Sequence, residues 1–242
     1  MQKQAVTKTV DRLVHISPYR LKTSPFSSHG RILRYLSTWT RTARILEAGT
    51  VHGYFGKALR EAGFTHLVGL ERDPLCVKAA RAVYTEVVEC DLEELEVDSL
   101  GRFDLILCAD VLEHLEDPPK ALNKLIQMLN PQGRLIVSVP NSGHWWMRLN
   151  ILCGRFPLEE RGLFDRGHLR FFTWATLRDL VHQAGLTIEQ VWITPVPISI
   201  FCGNGIGGRM ALWAEAVYCA IAYLWKRFFA YQFVLSTARR IK

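Results

Sequence analysis

The side chains with chemistry to offer gather in a few short stretches. Two histidines have the character of proton acceptors: His114, in Val111-Leu112-Glu113-His114-Leu115, and His168, in Asp165-Arg166-Gly167-His168-Leu169-Arg170-Phe171-Phe172-Thr173. Imidazole titrates near neutral pH, so either suits removal of a hydroxyl proton. Each also has a blander role open to it: His114 could orient a loop, and His168 could order its own segment through Asp165 or a carbonyl. His144 adjoins Trp145 and Trp146 and reads as part of an aromatic wall. Four carboxylates, Glu47, Glu71, Asp91 and Asp110, fall at or just past the ends of apolar runs. No His, Cys or Asp cluster has metal-ligand spacing, so no metal is expected.

The carboxylates gain meaning from the elements that must carry them. Apolar runs predict strands over residues 44–47, 66–70, 86–90, 103–108, 134–139, 186–193 and 232–237. Helical patterns alternate with them: 29–40 after Ser28, 54–62 closed by Gly63, one after Pro74, one opened by Pro118 and Pro119, and 174–184 after Thr173. Continuous apolar strands alternating with helices predict an α/β fold, a parallel sheet covered on both faces. Ligands of such sheets sit beyond the carboxyl ends of the strands, where the four acids stand.

With 242 residues and 49% hydrophobic content, the chain reads as one domain with additions. The divisions expected are an N-terminal lid over 1–43, a core over 44–194 carrying a substrate cover at 141–172, and a hydrophobic helix with the last strand over 195–242. The six cysteines form no C-x-x-C pair, and the N-terminus lacks the apolar core of a secretory signal, so a reducing cytoplasm is expected. Of the net charge of +7, residues 1–44 carry +8 and 226–242 carry +5, leaving −6 between them. Basic ends around an acidic body suit an anionic membrane or substrate better than a nucleic-acid groove. The stretch 209–229 is hydrophobic, but its longest uncharged run is ten residues, about half the roughly 20 of a spanning helix. It packs on the domain or lies peripherally at the inner membrane face.

The turn after residue 47 separates ligand classes. A P-loop fails because Val51 and Ala58 stand where Gly and Ser/Thr are needed around Gly56-Lys57, and the dinucleotide fingerprint fails because Val51 takes the second glycine position after Gly49. The Tyr-x-x-x-Lys of short-chain dehydrogenases is absent. What remains, Glu47-Ala48-Gly49-Thr50-Val51-His52-Gly53, resembles the first motif of the class I S-adenosylmethionine-dependent methyltransferases. Leu70-Glu71-Arg72-Asp73, Glu89-Cys90-Asp91-Leu92, the stretch from Phe103 to Leu115 with Ala109-Asp110, and Leu129-Asn130-Pro131-Gln132-Gly133 resemble that family's later motifs in order, over residues 45–191.

The resemblance implies a Rossmann-like, doubly wound seven-stranded sheet with one antiparallel strand. It implies a cofactor, S-adenosylmethionine, leaving as S-adenosylhomocysteine. Glu47, Ala48, Gly49 and Gly53 would form its turn, Glu71 would meet the ribose, and Arg72 in the same motif would also bind the cofactor. Asp91 and Leu92 would meet adenine, and Ala109 and Asp110 the methionine end. His168, then His114, would be catalytic. The Asp165 to Thr173 stretch resembles a bacterial subgroup often associated with cell-surface polysaccharide biosynthesis, which implies O-methylation of a small-molecule, sugar or lipid-linked acceptor. Nitrogen methylation, or a non-catalytic binding and membrane-docking role, stands as the alternative. Val51, in place of the family's middle glycine, allows either a shifted turn that still binds or a site that no longer does.

Overall fold

The computed structural model describes residues 21–22, 24–197 and 206–240. Seven strands form one sheet: β1 (Arg44–Ala48), β2 (His66–Glu71), β3 (Glu86–Glu89), β4 (Phe103–Ala109), β5 (Leu129–Pro140), β6 (Leu186–Thr194) and β7 (Gln232–Arg239). Their order is β3-β2-β1-β4-β5-β7-β6. β1 to β5 pair in parallel, and β7 runs antiparallel to β5 and β6. This is the expected seven-stranded sheet with a single antiparallel strand. β5 starts five residues before the expected 134, because Leu129 pairs with Phe103 across a register irregularity.

The helices are α1 (Ser28–Leu36), α2 (Tyr54–Glu61), α3 (Pro74–Ala80), α4 (Pro118–Gln127), α5 (Trp145–Leu152), α6 (Trp174–Gln183), α7 (Ile206–Leu224) and α8 (Lys226–Phe229). α1 is shorter than expected and its cap is Ser27, not Ser28: Ser27 is extended and its Oγ accepts from Gly30 N at 3.1 Å. Asp73 caps α3, accepting from Leu75 N at 2.7 Å, and Thr173 caps α6. The single helix expected over 209–229 is two, separated at Trp225, whose φ of −139° is not helical. Among the described residues, no helix is long and apolar enough to cross a membrane. Five cysteines are free thiols; Cys202 lies outside the described residues.

Two apolar layers cover the sheet. On one face Ile32 and Leu36 of α1 join Phe55 and Leu59 of α2 against Ile45, Leu105, Ile136 and Val234. On the other, Leu122 and Leu125 of α4, Leu177 and Val181 of α6, and Cys219 and Ala222 of α7 pack on Leu46, Ile106, Val137 and Leu235. Burial of these side chains leaves the strand ends free to carry polar groups, and the sheet's carboxyl edge holds the site.

Candidate active site

Strand order reverses between β1 and β4, so a crevice opens beyond their carboxyl ends. Glu47 is in register with Leu107, and Ala48 with Leu70 and Cys108, which brings the turn after β1 level with the ends of β2 and β4. Gly49 and Gly53 have φ of 75° and 77°, a region costly for residues with a Cβ. A Cβ on Gly49 would sit 2.9 Å from Val111 Cγ2, so glycine also keeps the crevice open toward β4.

Val51 shares this left-handed geometry, with φ of 50°. For a β-branched residue that is strained by ~1–2 kcal/mol. Its N–H donates to Glu71 Oε2 at 2.7 Å, a bond that holds the turn against the end of β2. Glu71 also accepts at Oε1 from the N–H groups of Arg72 at 2.9 Å and Asp73 at 3.0 Å. The carboxylate is thus fixed at the crevice with acceptor capacity to spare for a hydroxyl. The Arg72 side chain is exposed, Asp91 is half-buried and accepts from Glu93 N at 2.8 Å, and Leu92 packs into the core.

Glu47 stands on β1 just before the turn. It is buried and accepts from the Tyr84 hydroxyl at 2.5 Å. Burial pushes its pKa up to about 8, although the Tyr84 bond pulls the other way. Tyr84 carried no signal in the sequence as its partner, because 37 residues separate the two.

Asp110, at the end of β4, has φ of 56° and gathers three side chains. Lys22 Nζ donates to it at 2.8 Å, Gln232 Nε2 at 3.0 and 3.1 Å, and Ser138 Oγ at 2.6 Å. Burial alone would raise its pKa; the Lys22 ammonium and the Ser138 hydroxyl more than offset that and hold it well below the usual carboxylate range. Lys22 in turn is fixed by its own N–H, which donates to His29 Nδ1 at 2.9 Å. Burial drives His29 down to about 3, so it is a neutral acceptor stacked on Phe55. The Ser27-Ser28-His29-Gly30 turn thereby holds Lys22 beside Asp110. Lys22 and Gln232 were missed because they lie 88 and 122 residues from Asp110 in sequence.

The two histidines singled out in the sequence come together. Their rings are 5.0 Å apart between centroids, edge to face. The segment bearing His168 is held to the Leu112–His114 turn by the N–H groups of Leu169 and Arg170, which donate to Glu113 O at 2.8 and 2.9 Å. His114 Nδ1 lies 2.9 Å from Gly167 O, and since a carbonyl only accepts, that nitrogen carries the proton and Nε2 the lone pair. Burial, then the neighbouring His114, lowers the His168 pKa. Glu113 is buried with no hydrogen-bond partner on either carboxylate oxygen, and burial raises its pKa well above the usual range. One donor atom each from Glu113, His114 and His168 lie within 4.8 Å of one another. His168 joins Glu113 and His114 by folding, across 54 residues, so no local spacing marks the group. His144 stands apart, capping α5 through Trp146 N at 3.2 Å and meeting the Tyr218 hydroxyl at 3.0 Å.

A carboxylate fixed at the β2 end, a glycine cradle that a Cβ would fill, and an acidic β4 end suit a ligand with a ribose diol and a cationic amino-acid tail, which S-adenosylmethionine has.

Comparison with known proteins agrees. Residues 15–191 match a family profile described as "Methyltransferase domain". The ubiquinone biosynthesis O-methyltransferase of Xylella fastidiosa (strain 9a5c) is 28% identical over 155 residues, 62% of this chain and 63% of that protein. That of Aeromonas salmonicida (strain A449) is 24% identical over 154 residues, 61% of this chain and 64% of its own. The chain thus spans about 63% of the length of the curated relatives it matches. Among solved structures, magnesium protoporphyrin IX methyltransferase from Synechocystis PCC 6803, with bound S-adenosylhomocysteine, superposes with a TM-score of 0.62 at 17% identity, over 96% of this chain and 94% of its own. A methyltransferase from Thermotoga maritima described as a possible histamine N-methyltransferase gives 0.56 at 20% identity, over 89% and 93%. The profile covers well over half of the sequence, and the chain belongs to the methyltransferase-domain family.

Proposed function

We propose that the chain methylates a hydroxyl oxygen on a small-molecule, sugar or lipid-linked acceptor. The observation that carries this reading is the convergence of His114, His168 and Glu113 beside the β4 end, since oxygen acceptors need a proton removed. S-adenosylmethionine supplies an activated methyl group. The chain's own residues bind and align: Glu71 receives ribose hydroxyls, Asp91 the adenine amino group, and the Ala109-Asp110 end the cationic methionine tail. His168 holds the acceptor hydroxyl and takes its proton, with its lowered pKa keeping it unprotonated near neutral pH. The naming of relatives as O-methyltransferases supports oxygen as the acceptor atom.

The surroundings favour an apolar acceptor. Leu152 of α5 and Leu224 of α7 are 84% and 89% exposed, and Trp146, Trp213 and Trp225 are exposed with them. α5 follows β5 at the carboxyl edge, and α7–α8 leads into β7 at the same edge, since Gln232 meets Asp110. Arg148 lies over the Phe228 ring at 5.7 Å and Lys226 over the Trp174 ring at 3.8 Å, giving the apolar rim a cationic border. A membrane-surface substrate, such as the lipid-linked intermediates of the polysaccharide-associated subgroup, would meet the site there.

The test pairs two measurements. Titration calorimetry with S-adenosylmethionine should give binding to the wild type and to His168→Gln alike. Transfer of labelled methyl into a lipid extract or a hydroxylated acceptor set should fall by ~10²-fold or more in that variant. Unchanged transfer would remove His168 from the mechanism, and labelling confined to amines would overturn oxygen as acceptor.

A further inference from the structure

We propose that Glu113, His114 and His168 form a binding site for a divalent first-row transition cation, whose open coordination positions receive the acceptor oxygen. The inference rests on the reading of this cluster as the acceptor side and deepens it. Two imidazoles and one carboxylate are a donor set for zinc, manganese, iron(II) or cobalt rather than calcium or magnesium, and three protein ligands leave positions free for water or substrate.

Four observations converge. One donor atom from each residue lies within 4.8 Å of the other two. Around a cation with bonds of ~2.1 Å, donors stand roughly 3.0–3.4 Å apart, so small side-chain rotations close the site. Glu113 is 1% exposed with both carboxylate oxygens unpartnered, a costly arrangement that a cation would relieve. His114 donates from Nδ1 to Gly167 O, the outer contact that fixes a ligating imidazole's tautomer and aims the Nε2 lone pair. The two backbone bonds from Leu169 and Arg170 to Glu113 O tie the loop of His168 to the turn of the other two ligands, so the set is preorganised by main chain.

A hydroxyl on such a cation ionises more readily. Its O–H proton passes to solvent, the oxygen forms a bond to the methyl carbon, and the carbon–sulfur bond breaks with its electron pair staying on sulfur. His168 then ligates instead of accepting the proton.

The experiment uses the full chain, stripped with a chelator. Manganese(II) is added and followed by electron paramagnetic resonance, which reads loss of the free-ion signal, and by water proton relaxation, which reads water on the bound ion. One ion per chain with enhanced relaxation is expected, together with at least a tenfold weakening in Glu113→Gln and in His168→Gln. Calorimetry with S-adenosylmethionine on the same samples shows that the variants are folded. No manganese or cobalt(II) binding by wild type that still binds S-adenosylmethionine would overturn the site and leave the methyltransferase reading standing. Equal binding by wild type and the Glu113→Gln, His168→Gln double variant would overturn it too. A chain that binds manganese but transfers methyl only to amines would keep the site and remove its role in seating oxygen.

Discussion

At Val51, a β-branched residue occupies left-handed backbone where the family has glycine, and the turn keeps its shape because the Val51 N–H is bonded to Glu71. The residue that raised doubt about cofactor binding thus helps hold the carboxylate assigned to ribose. Glu47, just before that turn, accepts from the buried Tyr84 hydroxyl. That burial has a consequence for stability. The folded pKa of about 8 lies above the ordinary value of 4.5, so the protonated form favours folding. The contribution is complete below about pH 4.5 and is lost as pH rises through about 8. Melting temperature should therefore fall between pH 5 and 9 by more in the wild type than in Glu47→Gln, whose amide oxygen still accepts from Tyr84. Parallel pH profiles measured by calorimetry would remove Glu47 as the titrating group.

At the level of elements, α2 depends on the same pair. An alanine inside a helix ordinarily gains about 1 kcal/mol over glycine. At Gly56 the added Cβ would stand 2.3 Å from Tyr84 Cζ, and Tyr84 is anchored to Glu47 on the other side. Gly56→Ala is expected to destabilise by ~1–3 kcal/mol, the range of overpacked cores, lowering the midpoint of urea unfolding. A midpoint equal to or above wild type would show that the ring can move aside. The strands were readable from sequence because β1, β2 and β4 are continuous apolar runs buried on both faces. α5 was not: Trp145–Leu152 has no polar face, leaves Leu149, Ile151 and Leu152 exposed, and so has none of the periodicity that marks a surface helix. The site divides the same way. Glu71, Asp91, Asp110, His114 and His168 lie in local motifs that could be read directly. Lys22, Tyr84 and Gln232 reach it only through folding, over separations that leave no spacing pattern, and Glu113 was passed over although it stands beside His114 in a motif already in view.

Over the whole molecule, the charge asymmetry and the apolar rim belong to one argument. A soluble surface rarely leaves side chains such as Leu152, Trp213, Leu224 and Trp225 exposed together, and α7–α8 leads into the strand whose Gln232 meets Asp110. Among the described residues no helix is long and apolar enough to cross a bilayer. Shallow insertion of α5 and α7–α8 would bury the aromatic and aliphatic tips while Arg148, Lys226 and Arg227 meet lipid phosphates, each cation near an anionic surface contributing about 1 kcal/mol. The chain should therefore float with phosphatidylglycerol vesicles at low salt, stay behind with purely phosphatidylcholine vesicles, and be released as ionic strength rises and the Debye length shortens. The Leu224→Glu, Trp225→Glu double variant should lose flotation while still binding S-adenosylmethionine, because neither residue touches the crevice. Flotation that survives this variant would assign the lipid contact to another surface, and failure of the wild type to float at low salt would leave the rim as a site for a soluble apolar acceptor.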